Sequence, residues 1–167
     1  TAAFSYVSLT RGLPSPATLS ILLNPPGGLL LQPTRIYDRT GKNVIFTFAP
    51  TDAPRRYIPL SETNPQHLPK SLADAVVAKT DPGFWKHAGY TFNTIANYEV
   101  HPTLAQRLAF NLLLFDEPPS LRRALRERIL AAQITAQYGR TQILEWYLNS
   151  ANFGRYAYGV DAAAELD

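Results

Sequence analysis

Cysteine and methionine are both absent from this 167-residue chain. Without cysteine there is no disulfide, no thiolate nucleophile and no thiolate-held metal. Long apolar runs are missing too. No stretch approaches the ~20 apolar residues a bilayer-spanning helix needs, and nothing has the form of an intact signal peptide. Residues 2–9 are apolar enough to be the tail of such a segment, and residue 1 is Thr. The expectation is therefore a piece processed or excised from a longer chain. Lysine is scarce, four residues against twelve arginines. Internal repeats and low-complexity tracts are lacking.

What is present is the composition of a folded domain, 46% hydrophobic and 17% charged, with a net charge of +3. The length suits one domain with a real core. Arginine binds phosphate and carboxylate through a planar fork, which lysine cannot do. Four of the arginines fall in one run, Arg122, Arg123, Arg126 and Arg128. The simplest reading of such a run is a solvated helix face. The sharper readings are a pyrophosphate grip, an anionic membrane surface or nucleic acid. No aromatic interleaving or reader motif accompanies the run, which argues against nucleic acid.

Residues 10–33 are dense in Pro, Gly and Leu, which forbids a long helix and predicts an ordered or wrapped lead-in with a short helix at 15–23. Residues 34–38 and 44–48, joined by a turn containing Gly41, predict a β-hairpin, and residues 55–60 a third strand ended by Pro59. From residue 69 the pattern turns helical. Pro69 opens a helix to Lys79, with Leu72, Ala75 and Val76 inward. A second helix is expected at 102–114, with Leu104, Leu108, Asn111 and Leu112 on one face. A third follows the Ser120 N-cap, with Leu121, Leu125, Ile129 and Ala132 along one side and an end at Gly139. A fourth covers 141–148, and a fifth starts near Tyr158 and still runs at Asp167.

Three stretches could carry chemistry. Asp81, His87 and the aromatics Phe84 and Trp85 follow the first long helix and could form an acid/base pocket, or simply a turn with a locally packed histidine. Arg123 and Glu127 stand at i and i+4, as a site pair or an ordinary exposed ion pair. Residues 142–164 join an amphipathic helix, Asn149, Phe153-Gly154, Tyr158-Gly159 and a small-residue segment. There Gly154 and Gly159 permit close backbone approach.

Taken together, these motifs resemble the peptidoglycan glycosyltransferase (transglycosylase) domain of class A penicillin-binding proteins, glycosyltransferase family 51. Asp81, Phe84, His87 and Gly89 match its E-D-x-x-F-x-x-H-x-G pattern. Thr103, Gln106 and Asn111 match parts of G-x-S-T-x-x-Q-Q, with Pro102 and Arg107 as departures. Arg123 and Glu127 match R-K-x-x-E, with Ala124 in place of Lys, and Arg140 stands where Lys is usual. The resemblance implies a mainly α, lysozyme-like domain at 34–167, with a small N-terminal β-hairpin and a truncated C-terminal lobe, after a 1–33 lead-in and a removed membrane anchor. It implies lipid II or a glycan strand as substrate, cell-wall assembly proteins as partners, no nucleic acid, and a place on the extracytoplasmic face of the cell membrane.

The family's catalytic Glu position is Thr80. A Thr hydroxyl holds its proton too tightly to act as a base near neutral pH, and losing a general base slows a reaction by ~10²–10⁴-fold. The segment between Gly89 and Pro102 is also shorter than the family's jaw around the glycan. The expectation is a retained scaffold whose catalysis is lost or reduced. The alternative is an active enzyme using Asp81 or Glu99 as a rearranged base. The resemblance assigns Glu127 as the second carboxylate and His87, Thr103, Gln106, Asn111, Arg123, Arg126 and Arg140 as substrate-binding residues. A divalent metal, Mg or Mn, would accompany an active form and steady the departing pyrophosphate. A lysozyme-like hydrolase is a weaker reading, because Glu127 has no evident partner carboxylate unless Asp81 or Glu99 approaches it.

Overall fold

A computed structural model describes residues 2–48, 56–155 and 157–165, with side chains from Tyr6 onward. Among the described residues six α-helices and one hairpin follow in order: α1 (Ala2–Thr10), α2 (Thr18–Leu23), β1 (Thr34–Tyr37), β2 (Val44–Phe48), α3 (Lys70–Thr80), α4 (Leu104–Leu113), α5 (Leu121–Ser150) and α6 (Val160–Ala164). The protein is mainly helical with one small antiparallel hairpin, as expected. Among the described residues no helix is long and apolar enough to cross a membrane.

One hydrophobic core runs through the helices. Leu104 and Leu108 of α4 join Leu130 and Ile134 of α5, with Phe84 from the turn after α3. Further along α5, Ile143, Trp146 and Leu148 extend the same core. The lead-in contributes directly: Leu19 and Leu23 of α2 are fully buried there, and the Trp146 indole N–H donates to Asn24 Oδ1 at 3.0 Å. Gly139 breaks α5 with φ 75° and ψ 170°. The expected helix end is therefore a kink, and a second arm resumes at once.

The hairpin pairs Thr34 with Phe48 and carries one irregularity between Ile36 and Tyr37. Its turn is organised by Asp38, whose carboxylate accepts from the Thr40 N–H at 3.0 Å, the Thr40 hydroxyl at 2.6 Å and Asn43 Nδ2 at 2.8 Å. These donors favour the ionised form and hold the Asp38 carboxyl down at about 2.

Residues 56–60 do not form the expected third strand, and Arg55 lies outside the described residues. Side chains of α5 occupy their backbone groups instead. Asn149 Oδ1 accepts from the Ile58 N–H and its Nδ2 donates to the Ile58 carbonyl, at 2.8 and 2.9 Å. Glu145 accepts from the Tyr57 hydroxyl at 2.6 Å and the Leu60 N–H at 2.7 Å. Burial, then the bond to Glu145, push the Tyr57 phenol above its ordinary value. Gly159 lets the α6 entry close on this clasp, since a Cβ there would stand 2.8 Å from the Asn149 carbonyl.

Three predicted faces are corrected. In α3 Ala73 and Val77 are buried and the expected Leu72 and Val76 pack against the core beside them, while Ala75 is exposed. In α4 Gln106 and Ala109 point inward and Asn111 is exposed. The largest correction is α5. Its core side carries Leu130, Ile134 and three arginines, with Arg123, Arg126 and Arg128 only 3%, 2% and 4% exposed. Three of the run's four arginines are therefore not a solvated face; only Arg122 is exposed. Most acceptors of the buried guanidinium protons are backbone carbonyls, and those have no residue-type signature.

Candidate active site

The site begins at the N-terminus of α4. Thr103 has extended backbone torsions and its hydroxyl accepts from the Gln106 N–H at 3.1 Å, an N-cap. Asp81, the residue after α3, fits the same helix end: its Oδ2 accepts from the Leu104 N–H at 3.0 Å. A buried carboxylate is well placed there, because free N–H groups and the helix dipole favour negative charge. Asp81 Oδ1 lies 2.8 Å from His87 Nε2. The His87 Nδ1 accepts from the Gly89 N–H at 3.0 Å, which fixes the proton on Nε2, donating to Asp81. Both ring nitrogens are engaged.

The network continues through the turn into α5. The Thr103 hydroxyl donates to the Gly89 carbonyl at 2.6 Å. Gln106 accepts from the Thr91 N–H at 3.2 Å, so its amide NH₂ faces Glu127 and donates to Oε1 at 2.7 Å. The second oxygen of Glu127, Oε2, lies 2.7 Å from His101 Nδ1. Glu127 is 2% exposed. Glu127 thus has both oxygens matched and no direct opening to solvent, a buried polar group satisfied as such groups must be.

Of the residues the sequence singled out, Asp81, His87, Thr103, Gln106 and Glu127 converge in this one network. Arg123 lies beside it without pairing with Glu127. It donates to the carbonyls of Glu117 and Tyr98 at 3.0 and 2.6 Å and to Glu99 at 3.3 Å, and its guanidinium lies over the Phe110 ring. Its buried Nε has no partner among the described residues. Arg126 turns away to the Leu9, Arg11 and Gly12 carbonyls and to Glu117. Arg140 donates to the carbonyls of Phe84 and His87, at 3.0 and 2.6 Å, and so pins the turn that carries His87. Asn111 lies apart, on a cavity of about 520 Å³ shared with Leu30, Asn149 and Asn152. Thr80 is the partly exposed last residue of α3.

Neither alternative base is free. Asp81 is buried and holds two donors. The Glu99 side chain is 63% exposed and leans on Arg123. Burial pushes the Arg128 guanidinium below its ordinary value, with the neighbouring Glu127 charge partly offsetting it. Among the described residues no group of three or more His, Asp or Glu comes together that could hold a metal ion.

Sequence reasoning missed His101. It sits between Val100 and Pro102, and its carboxylate partner is 26 positions away. The one available signal was its place next to the Thr103–Gln106 motif.

Fold and site together define a lysozyme-like helical domain built around a buried carboxylate. Residues 43–166 match the family model described as Transglycosylase, and the chain belongs to that family. The chain is 35% identical over 147 residues to penicillin-binding protein 1A of Rickettsia felis, an alignment covering 79% of this chain and 17% of that protein. It is 29% identical over 171 residues to penicillin-binding protein 1A of Aquifex aeolicus, covering 96% and 22%. With the biosynthetic peptidoglycan transglycosylase of Shewanella denitrificans it shares 39% over 107 residues, covering 58% and 46%. The chain therefore spans about a fifth of the length of these penicillin-binding relatives.

Proposed function

We propose that this domain handles lipid II or the growing glycan strand in peptidoglycan synthesis, on the extracytoplasmic face of the cell membrane. In this reading it is a glycosyltransferase whose turnover is lost or much reduced because Thr80 replaces the general base. The observation that carries the reading is the intact Asp81–His87–Thr103–Gln106–Glu127 network beside a residue that cannot accept a proton. Membrane attachment and association with cell-wall assembly proteins belong to the same proposal.

An active enzyme with Asp81 or Glu99 as base is the weaker reading, since the first is sealed and the second is drawn to Arg123. The test is lipid II polymerisation by the full-length protein, with Thr80→Glu and Glu127→Gln alongside. Binding of lipid II with slow or no polymer is expected, and Thr80→Glu should accelerate it by ~10²–10⁴-fold. Rapid polymerisation by the unmodified protein that disappears in Glu127→Gln would overturn the reduced-turnover reading.

A further inference from the structure

Glu127 is only 2% exposed, and its Oε2 is covered by the His101 ring. The imidazole is 13% exposed, its Nδ1 is on Glu127 at 2.7 Å, and its Nε2 is neither bonded by a described residue nor a sealed orphan. The ring is held firmly. It stacks on Phe110 at 3.9 Å with 13° between planes, and the Arg123 guanidinium lies 4.9 Å from the centroid of that Phe110 ring. Pro102 keeps the preceding backbone extended, and Thr103 fixes the helix start. Glu127 is fixed in turn by Gln106.

We infer that His101 is the proton acceptor of this site and Glu127 its positioning residue. The inference rests on the glycosyltransferase reading above and names the group that carries whatever turnover remains. With Glu127 as carboxylate, Nδ1–H donates to it and Nε2 presents a lone pair, the arrangement by which a carboxylate fixes an imidazole in its basic tautomer. In the transfer, the acceptor sugar's hydroxyl oxygen forms a bond to the donor's anomeric carbon. The bond from that carbon to the lipid pyrophosphate breaks, and the pyrophosphate leaves with the electron pair. The hydroxyl proton passes to His101 Nε2. The charged or titratable groups around the imidazole are Glu127 and Arg123 from α5, with Glu99 reaching Arg123 from the adjoining loop.

The experiment measures lipid II binding and slow polymer formation by the full-length protein, His101→Gln and His101→Gly, with melting curves for each. His101→Gln keeps a hydrogen-bonding side chain but has no base. Expected are unchanged lipid II binding, a fall in polymer formation of ~10²-fold or more, and a dose-dependent recovery of His101→Gly by added imidazole. A purely packing role would not give that recovery. Polymer formation by His101→Gln within two-fold of the unmodified protein overturns the inference, as does complete absence of product from the unmodified protein. If His101→Gly fails to fold, the His101→Gln rate decides alone. Failure of the unmodified protein to bind lipid II would instead sink the underlying glycosyltransferase reading, and the inference with it.

Discussion

Gly89 shows how tightly single positions are tied to the site. Its N–H fixes the His87 tautomer and its carbonyl accepts the Thr103 hydroxyl, so one residue orients two members of the network. Its φ is +93°, and a Cβ there would stand 2.0 Å from Thr135 Oγ1 and 2.7 Å from the Ala131 carbonyl. Backbone strain and overpacking each cost ~1–3 kcal/mol. Gly89→Ala should therefore destabilise the fold by about 2–5 kcal/mol in denaturant melts, and should reduce lipid II handling even where the fold survives. A melt shifted by less than about 1 kcal/mol would mean the turn moves freely against α5, contrary to this geometry. Such residues were readable in part. Asp81, His87, Thr103, Gln106 and Glu127 stand in motifs with recognisable spacing, and the structure brings them together. His101 was legible only by its place next to the Thr103–Gln106 motif, because a lone histidine gives no hint of a partner on a distant helix. The destinations of Arg123, Arg126 and Arg140 were equally hidden, since their acceptors are mostly main-chain carbonyls.

Elements follow the same division between local and remote causes. The hairpin was legible because alternating β-branched and aromatic residues and a glycine turn act locally. Its turn should be acid-sensitive. Asp38 is depressed from 3.8 to about 2 on folding, so its contribution is present above the unfolded value and is lost as pH falls through about 2. Amide resonances of Thr40 and Asn43 should move with a midpoint near pH 2, and Asp38→Asn should abolish that movement. The third strand failed for a remote cause, namely side chains of Glu145 and Asn149 taking backbone groups of Ile58 and Leu60. Helix α1 also depends on a distant residue. Arg126 donates to carbonyls at its C-terminal end, where a cation is favoured by the negative end of the helix dipole, and its other partner is Glu117. Arg126→Ala would leave the partly exposed Glu117 without its cation and three carbonyls without donors. A loss of ~1–3 kcal/mol is expected from the orphaned acceptors, with faster hydrogen exchange at the Arg11 and Leu13 amides. Unchanged exchange there would show that α1 is held by its apolar contacts alone.

At the scale of the whole molecule, composition divides the chain at residue 33, but the core does not. The Pro-rich lead-in reads as a separate wrapping segment, and the family match begins at residue 43. Yet α2 sends Leu19 and Leu23 into the same core as Trp146 and Leu108. The Trp146 indole would also lose its Asn24 acceptor without the lead-in. Truncating one buried leucine to alanine typically removes ~2–5 kcal/mol, against a total stability of ~5–15 kcal/mol for a domain. A chain starting at Thr34 loses two such leucines whole, together with the Arg126 acceptors at residues 9–12. It should fail to fold cooperatively. The measurable signs are a red-shifted Trp146 emission, a broadened or absent thermal transition, and no lipid II binding. The unmodified chain should melt in one transition. A cooperative melt of residues 34–167 at a midpoint near that of the whole chain would show that the lead-in only decorates the helical body. The alternative outcome, rescue of the shortened chain by an added peptide of residues 1–33, would show that the two pieces form one core without needing the covalent link.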